Sequence, residues 1–328
     1  MTAQRLILGL PSKGRLMDDC LAYFSHAGLT VRRSAGGRNY GGEIKEMPDV
    51  DVRFLSAGEI ASLLAEGAIH LGVTGLDLVH EKVVHPQNRV LMVDALGFGH
   101  ADVVVAVPQS WIDVSAMDDL EDITLAHRRR RAQALRVATK YFNLTREFFA
   151  RHGITDYRIV ESAGATEGAP ASGGAEIIVD ITSTGATLAA NKLKVLADGV
   201  IMRSEAHLTA SLAAPWGDTP LEQVAEIFDR IAGRAEARGM REVRARLPAG
   251  TGDKLTGLLG DAGAVLIAAP TETATAYHVI HCPEATTYRL TVALRAAGVD
   301  RVTVKWPDFV FVAGNERLDR LQGRLANI

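Results

Sequence analysis

Short apolar runs alternate along this chain with stretches whose apolar residues recur at helical spacing, a rhythm that predicts buried strands joined by amphipathic helices. Leu6–Leu10 reads as a first strand, and Leu16 to His26 as a helix stopped near Gly28. Val50–Leu55 follows as a strand, Ile60–Glu66 as a helix ending at Gly67, and Leu71–Val73 as a strand before Gly75 and a short helix. Asp102–Val107 is a strong β run closed by Pro108. A second block then predicts strand Arg136–Thr139, helix Thr145–His152, and strands Arg158–Glu161 and Ile177–Asp180, the last running into a glycine loop. Val195–Met202 reads as a returning strand, and Pro220–Arg238 as a connecting helix. Alternation of this kind implies an α/β fold with a parallel or mixed sheet between helices.

After Gly239 the texture changes. Strand Glu242–Leu247, helix Asp253–Gly260, strands Val265–Pro270 and Tyr277–Cys282, helix Ala285–Ala297 and strand Arg301–Trp306 give the order βαββαβ. That order is ferredoxin-like, of the ACT kind, and predicts a separate small C-terminal domain. Asp308–Ile328 carries no pattern that assigns it.

Composition narrows the field without changing this picture. The chain has 328 residues, 47% hydrophobic and 23% charged, which suits two or three globular domains and excludes a disordered or disulfide-scaffold chain. A net charge of −3 argues against a dedicated nucleic-acid binder. Two distant cysteines, Cys20 and Cys282, fit a reducing compartment and cannot make a zinc site alone. No run reaches the ~18 apolar residues of a membrane span, and Leu6–Leu10 is too short for a signal-peptide core, so a cytoplasmic protein without membrane partners is expected.

Most conspicuous chemistries fail on inspection. The basic run His127–Arg131 could contact nucleic acid, but without interleaved aromatics it reads as a solvated loop or helix face. His278 and His281 stand three apart on a predicted strand, which sends them to opposite faces and makes them poor co-ligands. Neither a nucleophile elbow nor a Walker A motif is present. The informative segment is Val179-Asp180-Ile181-Thr182-Ser183-Thr184-Gly185-Ala186-Thr187-Leu188. An acid at a strand end precedes a turn of hydroxyls and glycine, then a helix expected from Leu188. Loop N–H groups and the Ser183, Thr184 and Thr187 hydroxyls suit an anion, and Gly185 permits close backbone approach. A plain Ser/Thr cap with a Gly turn is the competing reading.

From Glu167 through Gly173, Ala175, Ile178, Asp180, Ile181, Thr184, Gly185, Thr187 and Leu188, the sequence resembles the signature of the ATP phosphoribosyltransferase family, which opens histidine biosynthesis. The resemblance includes Pro11–Leu16, Leu71–Asp77, Leu96–Gly99 and Arg136–Tyr141, and covers roughly residues 5–212. It implies a two-lobed fold like periplasmic binding proteins: residues 1–103 with 203–225 as one lobe, 104–202 as the other, and 226–328 as a C-terminal regulatory or assembly region. It also implies condensation of ATP, through adenine N1, with phosphoribosyl pyrophosphate (PRPP), releasing diphosphate with Mg²⁺ as cofactor.

Residue by residue, Asp180 and the loop Thr182, Ser183, Thr184, Gly185, Ala186 and Thr187 match the family segment that holds the ribose and 5-phosphate of PRPP. Glu167 is expected near the ribose or the metal, and Asp180 itself is a candidate Mg²⁺ contact; Glu161 has the same chemistry and less support. Lys13 and Arg15 match the basic pair near the reacting phosphates, although a Lys-Gly-Arg turn alone reads more often as solvated charge. Asp77, Arg38 and Arg53 are the ATP candidates; for Asp77 a helix cap is an equal reading. The family's usual Asp-Ile-Pro after the first-lobe arginine is replaced by Ser56-Ala57-Gly58, which leaves the ATP contacts open. The C-terminal element order resembles the long form's histidine-sensing domain, which implies a homo-oligomer, dimer or hexamer, inhibited by histidine. The alternative reading is a two-lobed phosphate- or nucleotide-binding or regulatory protein without turnover.

Overall fold

The computed structural model describes residues 5–34, 40–162, 164–248, 252–269 and 277–327. Arg38 and Pro270 lie outside them. In chain order the first elements are β1 (Ile7–Pro11), α1 (Gly14–His26), β2 (Val31–Arg33), β3 (Gly41–Ile44), β4 (Met47–Leu55), α2 (Ala57–Glu66), β5 (Leu71–Gly75), α3 (Leu76–Lys82) and β6 (Val90–Ala95). Next come β7 (Asp102–Pro108), α4 (Met117–Arg131), β8 (Leu135–Thr139), α5 (Phe142–Arg151), β9 (Tyr157–Glu161), β10 (Ile177–Thr182), α6 (Ala186–Ala190) and β11 (Leu193–Met202). They are followed by β12 (Ala206–Ser211), α7 (Asp218–Gly239), β13 (Met240–Ala245), α8 (Gly252–Ala262), β14 (Val265–Ala268), β15 (His278–Pro283), α9 (Glu284–Ala296), β16 (Val302–Lys305) and α10 (Glu316–Leu325).

These elements build two compact units. The first comprises Met1–Tyr23, Thr30–Gln223 and Arg320–Ile328; the second comprises Phe24–Leu29 and Val224–Asp319. The first unit is two-lobed α/β, as expected for a periplasmic-binding-protein-like chain. Its seven-stranded sheet runs β2-β3-β4-β1-β5-β12-β6, and its five-stranded sheet β11-β7-β10-β8-β9. The chain crosses between sheets after β6 and returns at β12. At the heart of each lobe lie parallel neighbours, β4-β1-β5 in one and β10-β8-β9 in the other. Strands covered on both faces need no polar alternation, so Leu8–Pro11 and Val103–Val107 are all buried.

The four-stranded sheet of the second unit has the order β14-β15-β13-β16, entirely antiparallel, from the βαββαβ sequence expected. Here the strands do alternate. Val243, Ala245, Ile280 and Cys282 pack on Leu255, Leu259, Leu290 and Leu294 of the two helices, while Glu242, Arg244, Thr303 and Lys305 lie on the other face.

Several expectations shift. The helix placed from Leu188 begins at Ala186, and the strand to Pro270 ends at Ala268 within the described residues. The basic run His127–Arg131 is the last turn of α4, where Arg128 pairs with Asp156 at 2.7 Å. The unassigned tail contains α10, whose Leu321 is buried and whose Arg320 donates to the Val93 carbonyl at 2.5 Å. Among the described residues no helix is long and apolar enough to cross a membrane.

Candidate functional site

Parallel strands deliver their loops to one edge, and each lobe concentrates its polar residues beyond the carboxyl ends of its strands. In the seven-stranded sheet, β1 and β4 run in register to Pro11 and Leu55, and the Ser12 amide donates to the Leu55 carbonyl at 2.9 Å. Lys13, Gly14 and Arg15 form the turn into α1. Gly14 takes φ +72°, a left-handed conformation that glycine adopts without strain. Both cationic side chains project into solvent; Arg15 is 94% exposed, with Asp19 at 3.6 Å as a loose helical neighbour. Arg33, which the sequence did not single out, donates to the Ser12 carbonyl and lies over the Phe54 ring at 4.4 Å, which staples this turn from β2. Arg53 is exposed on β4, paired in register with Gly9. Ser56 is the N-cap of α2, its hydroxyl accepting from the Glu59 amide at 3.2 Å; the departure Ser56-Ala57-Gly58 is a helix start.

The second lobe repeats the plan with other chemistry. β10 carries Asp180 to the edge, and the chain turns through Thr182–Gly185 into α6. Gly185 has φ +73°, and a Cβ there would stand in open space. The Thr182 hydroxyl accepts from the Gly185 amide at 2.9 Å and so holds the turn, while Ser183, Thr184, Ala186 and Thr187 are exposed. One Asp180 oxygen accepts from the Ile181 amide at 2.8 Å; the Thr166 hydroxyl, near this carboxylate, donates to the Ser162 hydroxyl at 3.0 Å. Burial raises the Asp180 pKa above the ordinary aspartate value, and the nearby Glu167 charge adds to that; Lys140 pulls the other way. Glu167 sits half-buried on the single helical turn Thr166–Gly168, entered through Ala165 at φ +23°. Glu161, at the end of β9, is exposed.

Asp77 differs from both turns. It is 4% exposed; its Oδ2 accepts from the Tyr141 hydroxyl and its Oδ1 from the Ser204 hydroxyl, each at 2.7 Å. The N-cap of α3 is Gly75, so Asp77 is not the cap that the sequence allowed. Burial and the Asp77 charge raise the Tyr141 pKa, to which Asp180 contributes, so this phenol remains protonated and donates. The structure therefore brings together Asp180, Glu167, Thr166, Lys140 and Tyr141 around the second-lobe turn. Lys140 and Tyr141 were visible as part of a motif, but only the fold joins them to Asp180. Cys20 is buried, its thiol pushed up to about 12 by desolvation, and has no chemistry to offer. Among the described residues no group of three or more His, Cys, Asp or Glu side chains could hold a metal by itself.

Residues 56–233 match the HisG family model, ATP phosphoribosyltransferase. A Nitrobacter hamburgensis ATP phosphoribosyltransferase is 51% identical over 325 residues, 99% of each chain. One from Bradyrhizobium sp. is 51% identical over 321 residues, 98% of each. Among solved structures, the ATP phosphoribosyl transferase (HisG:HisZ) complex from Thermotoga maritima shares the fold, with TM-score 0.53 and 24% identity over 69% of this chain and 95% of that one. This chain belongs to the ATP phosphoribosyltransferase family, the glycosyltransferases that carry out the first step of histidine biosynthesis.

Proposed function

We propose that the second-lobe turn holds PRPP and that the cationic turn of the first lobe receives its departing diphosphate. Adenine N1 of ATP attacks the anomeric carbon; the N1–C1′ bond forms as the C1′–oxygen bond breaks, and diphosphate leaves with the bonding pair. The products are phosphoribosyl-ATP and diphosphate. No covalent enzyme nucleophile is required, so the residues contribute alignment and charge stabilisation. Thr182–Thr187 surround the 5-phosphate with amides and hydroxyls, and Asp180 accepts from the ribose hydroxyls. Arg15, whose planar guanidinium grips two phosphate oxygens at once, and Lys13 meet charge that grows as diphosphate departs. Arg53 serves the ATP phosphates, and Arg38 belongs to the same proposal. Asp77, committed to Tyr141 and Ser204, supports ATP by fixing the cleft floor.

Asp180 and Glu167, close enough for the charge of one to raise the pKa of the other, would together hold a Mg²⁺ ion that arrives with the diphosphate, and no fuller protein-only site exists among the described residues. Such an ion neutralises charge on the diphosphate oxygens. The observation that carries the reading is the ionisable, partly desolvated Asp180 beside an exposed hydroxyl turn whose Gly185 leaves open space at its Cβ. Mixing ATP, PRPP and Mg²⁺ should give the near-ultraviolet absorbance of N1-substituted adenine only when all three are present. PRPP binding without that signal would favour a two-lobed binding protein without turnover.

For the second unit, the exposed edge strand β14 and the uncovered sheet face support assembly into a homo-oligomer, dimer or hexamer, with histidine as feedback inhibitor. An unchanged rate at millimolar-order histidine and low substrate leaves this unit a role in assembly only.

A further inference from the structure

Two lobes joined by two crossings are built to hinge, and the site lies on both. A second feature opposes hinging. Asp77 and Glu81 stand four apart on α3, so both carboxylates share one face of the helix. Both are 4% exposed. Ser204 belongs to their own lobe, whereas Tyr141 and the partners of Glu81 come from the other. Besides Asp77 and the Tyr141 hydroxyl, Glu81 accepts from the Asn143 amide at 3.0 Å and from the Leu144 amide at 3.0 Å. The Asn143 side-chain amide donates back to the Glu81 carbonyl at 2.8 Å. α5 has no side-chain cap of its own from Tyr141, its N-cap residue. Glu81 satisfies the first free amides of that helix from across the cleft, with its negative charge at the positive helix end.

We propose that α3 clamps the two catalytic lobes at a fixed angle, with Glu81 as its positioning residue. The clamp sets how far Asp180 and its hydroxyl turn in the second lobe stand from Lys13 and Arg15 in the first. The lobes then meet substrate already set, in contrast to a receptor that shuts on its ligand. Breaking the clamp strips the Glu81 carboxylate and the Asn143 and Leu144 amides of these bonds, while Asp77 keeps Ser204, so the cost falls chiefly on Glu81.

The test measures interlobe distance. Spin labels at Lys45→Cys and Arg130→Cys, both exposed and on different lobes, report it by dipolar spectroscopy, with labelled protein diluted into unlabelled. Both native cysteines are buried. The wild-type distribution should be narrow and unmoved by saturating PRPP, with binding verified by calorimetry. Glu81→Ala should broaden it and lower kcat/KM roughly 10- to 100-fold, while Glu81→Gln, which keeps an acceptor oxygen, should recover most of both. A shift on binding PRPP, or a Glu81→Ala distribution as narrow as wild type, overturns the clamp. The kinetic arm rests on the function proposed above; absence of PRPP heat would count against that function and leave the ligand-free distances to decide the clamp.

Discussion

The two turns of the catalytic unit share a left-handed glycine and carry opposite chemistry. Each follows a buried parallel strand, each leads into a helix, and each passes through a left-handed glycine, Gly14 at φ +72° and Gly185 at φ +73°. A Cβ on either would meet nothing within 4 Å. The first carries Lys13 and Arg15; the second carries hydroxyls beside Asp180. The first is stapled by Arg33 from another strand, the second by its own Thr182. The left-handed glycine of each turn leaves room for a ligand to approach, and the side chains decide which charge approaches. In the proposed function one lobe receives a growing negative charge and the other orients a sugar phosphate.

The comparison is broken hardest at Asp180. Its raised pKa means that folding opposes its ionisation. The sign follows directly: the ionised form costs stability above the raised folded pKa, and the cost vanishes below the ordinary aspartate value of 3.8. Asp180→Asn should therefore lower kcat/KM roughly 10²–10³-fold while raising the melting temperature of the free protein at neutral pH. That gain should disappear in acid. A variant less stable than wild type at pH 7 would mean that Asp180 is a structural carboxylate and the second turn has no acid to offer.

Glycine substitutions separate backbone from chemistry. Gly14→Val and Gly185→Val force a branched residue into the left-handed region, and each should cost about 1–2 kcal/mol of stability. Only Gly185→Val should abolish PRPP binding in calorimetry, because its methyls fill the approach to the hydroxyl turn. Equal loss of PRPP affinity in both would erase the division of labour. Arg15→Ala should depress kcat about tenfold or more and change the ATP KM little, since its partner charge develops during reaction. An effect confined to the ATP KM would move Arg15 to the other substrate.

Much of this was legible in residue order because parallel strands buried on both faces read as plain apolar runs. β1, β5, β8 and β10 were visible for that reason; β7, antiparallel but as deeply buried, read the same way, β4 and β9 showed as half-buried strands, and the αL glycine stood out within its hydroxyl turn. Other elements gave no such signal. β2 and β3 form an edge hairpin of Arg32, Arg33, Gly41 and Gly42, and β12 is a run of small and polar residues whose Thr209 and Ser211 are fully buried. α4 buries only Met117, Leu120 and Thr124 and otherwise carries charge. The spacing of Asp77 and Glu81 was in view, but their partners lie 64 and 62 residues further along the chain, and only the fold joins them. The C-terminal order was readable because its strands alternate, whereas the exchange of Phe24–Leu29 and Arg320–Ile328 between units was not. Truncation after Arg238 would therefore strip the buried Phe24 and Leu29 of their own unit as well as removing α10, so loss of assembly in that variant is expected to come with loss of solubility.

The smallest effect sharpens the first lobe. Ser56 replaces a family acid beside the cationic turn, and two roles compete for it: a contact to ATP, or the start of α2. Its hydroxyl accepts from the Glu59 amide, and its neighbour Leu55 accepts from the Ser12 amide, so Ser56 borders the turn without pointing a free group into it. A lost Ser cap typically costs about 1 kcal/mol. Ser56→Ala should therefore lower the melting temperature by a few degrees and leave the KM for ATP within twofold, about the noise of such assays at 0.4 kcal/mol. Ser56→Asp, which caps equally well and restores the family's charge type, should recover the stability. If it instead changes the ATP KM tenfold, the first lobe's binding surface extends from the cationic turn across to α2, and charge at that edge is not supplied by arginine and lysine alone.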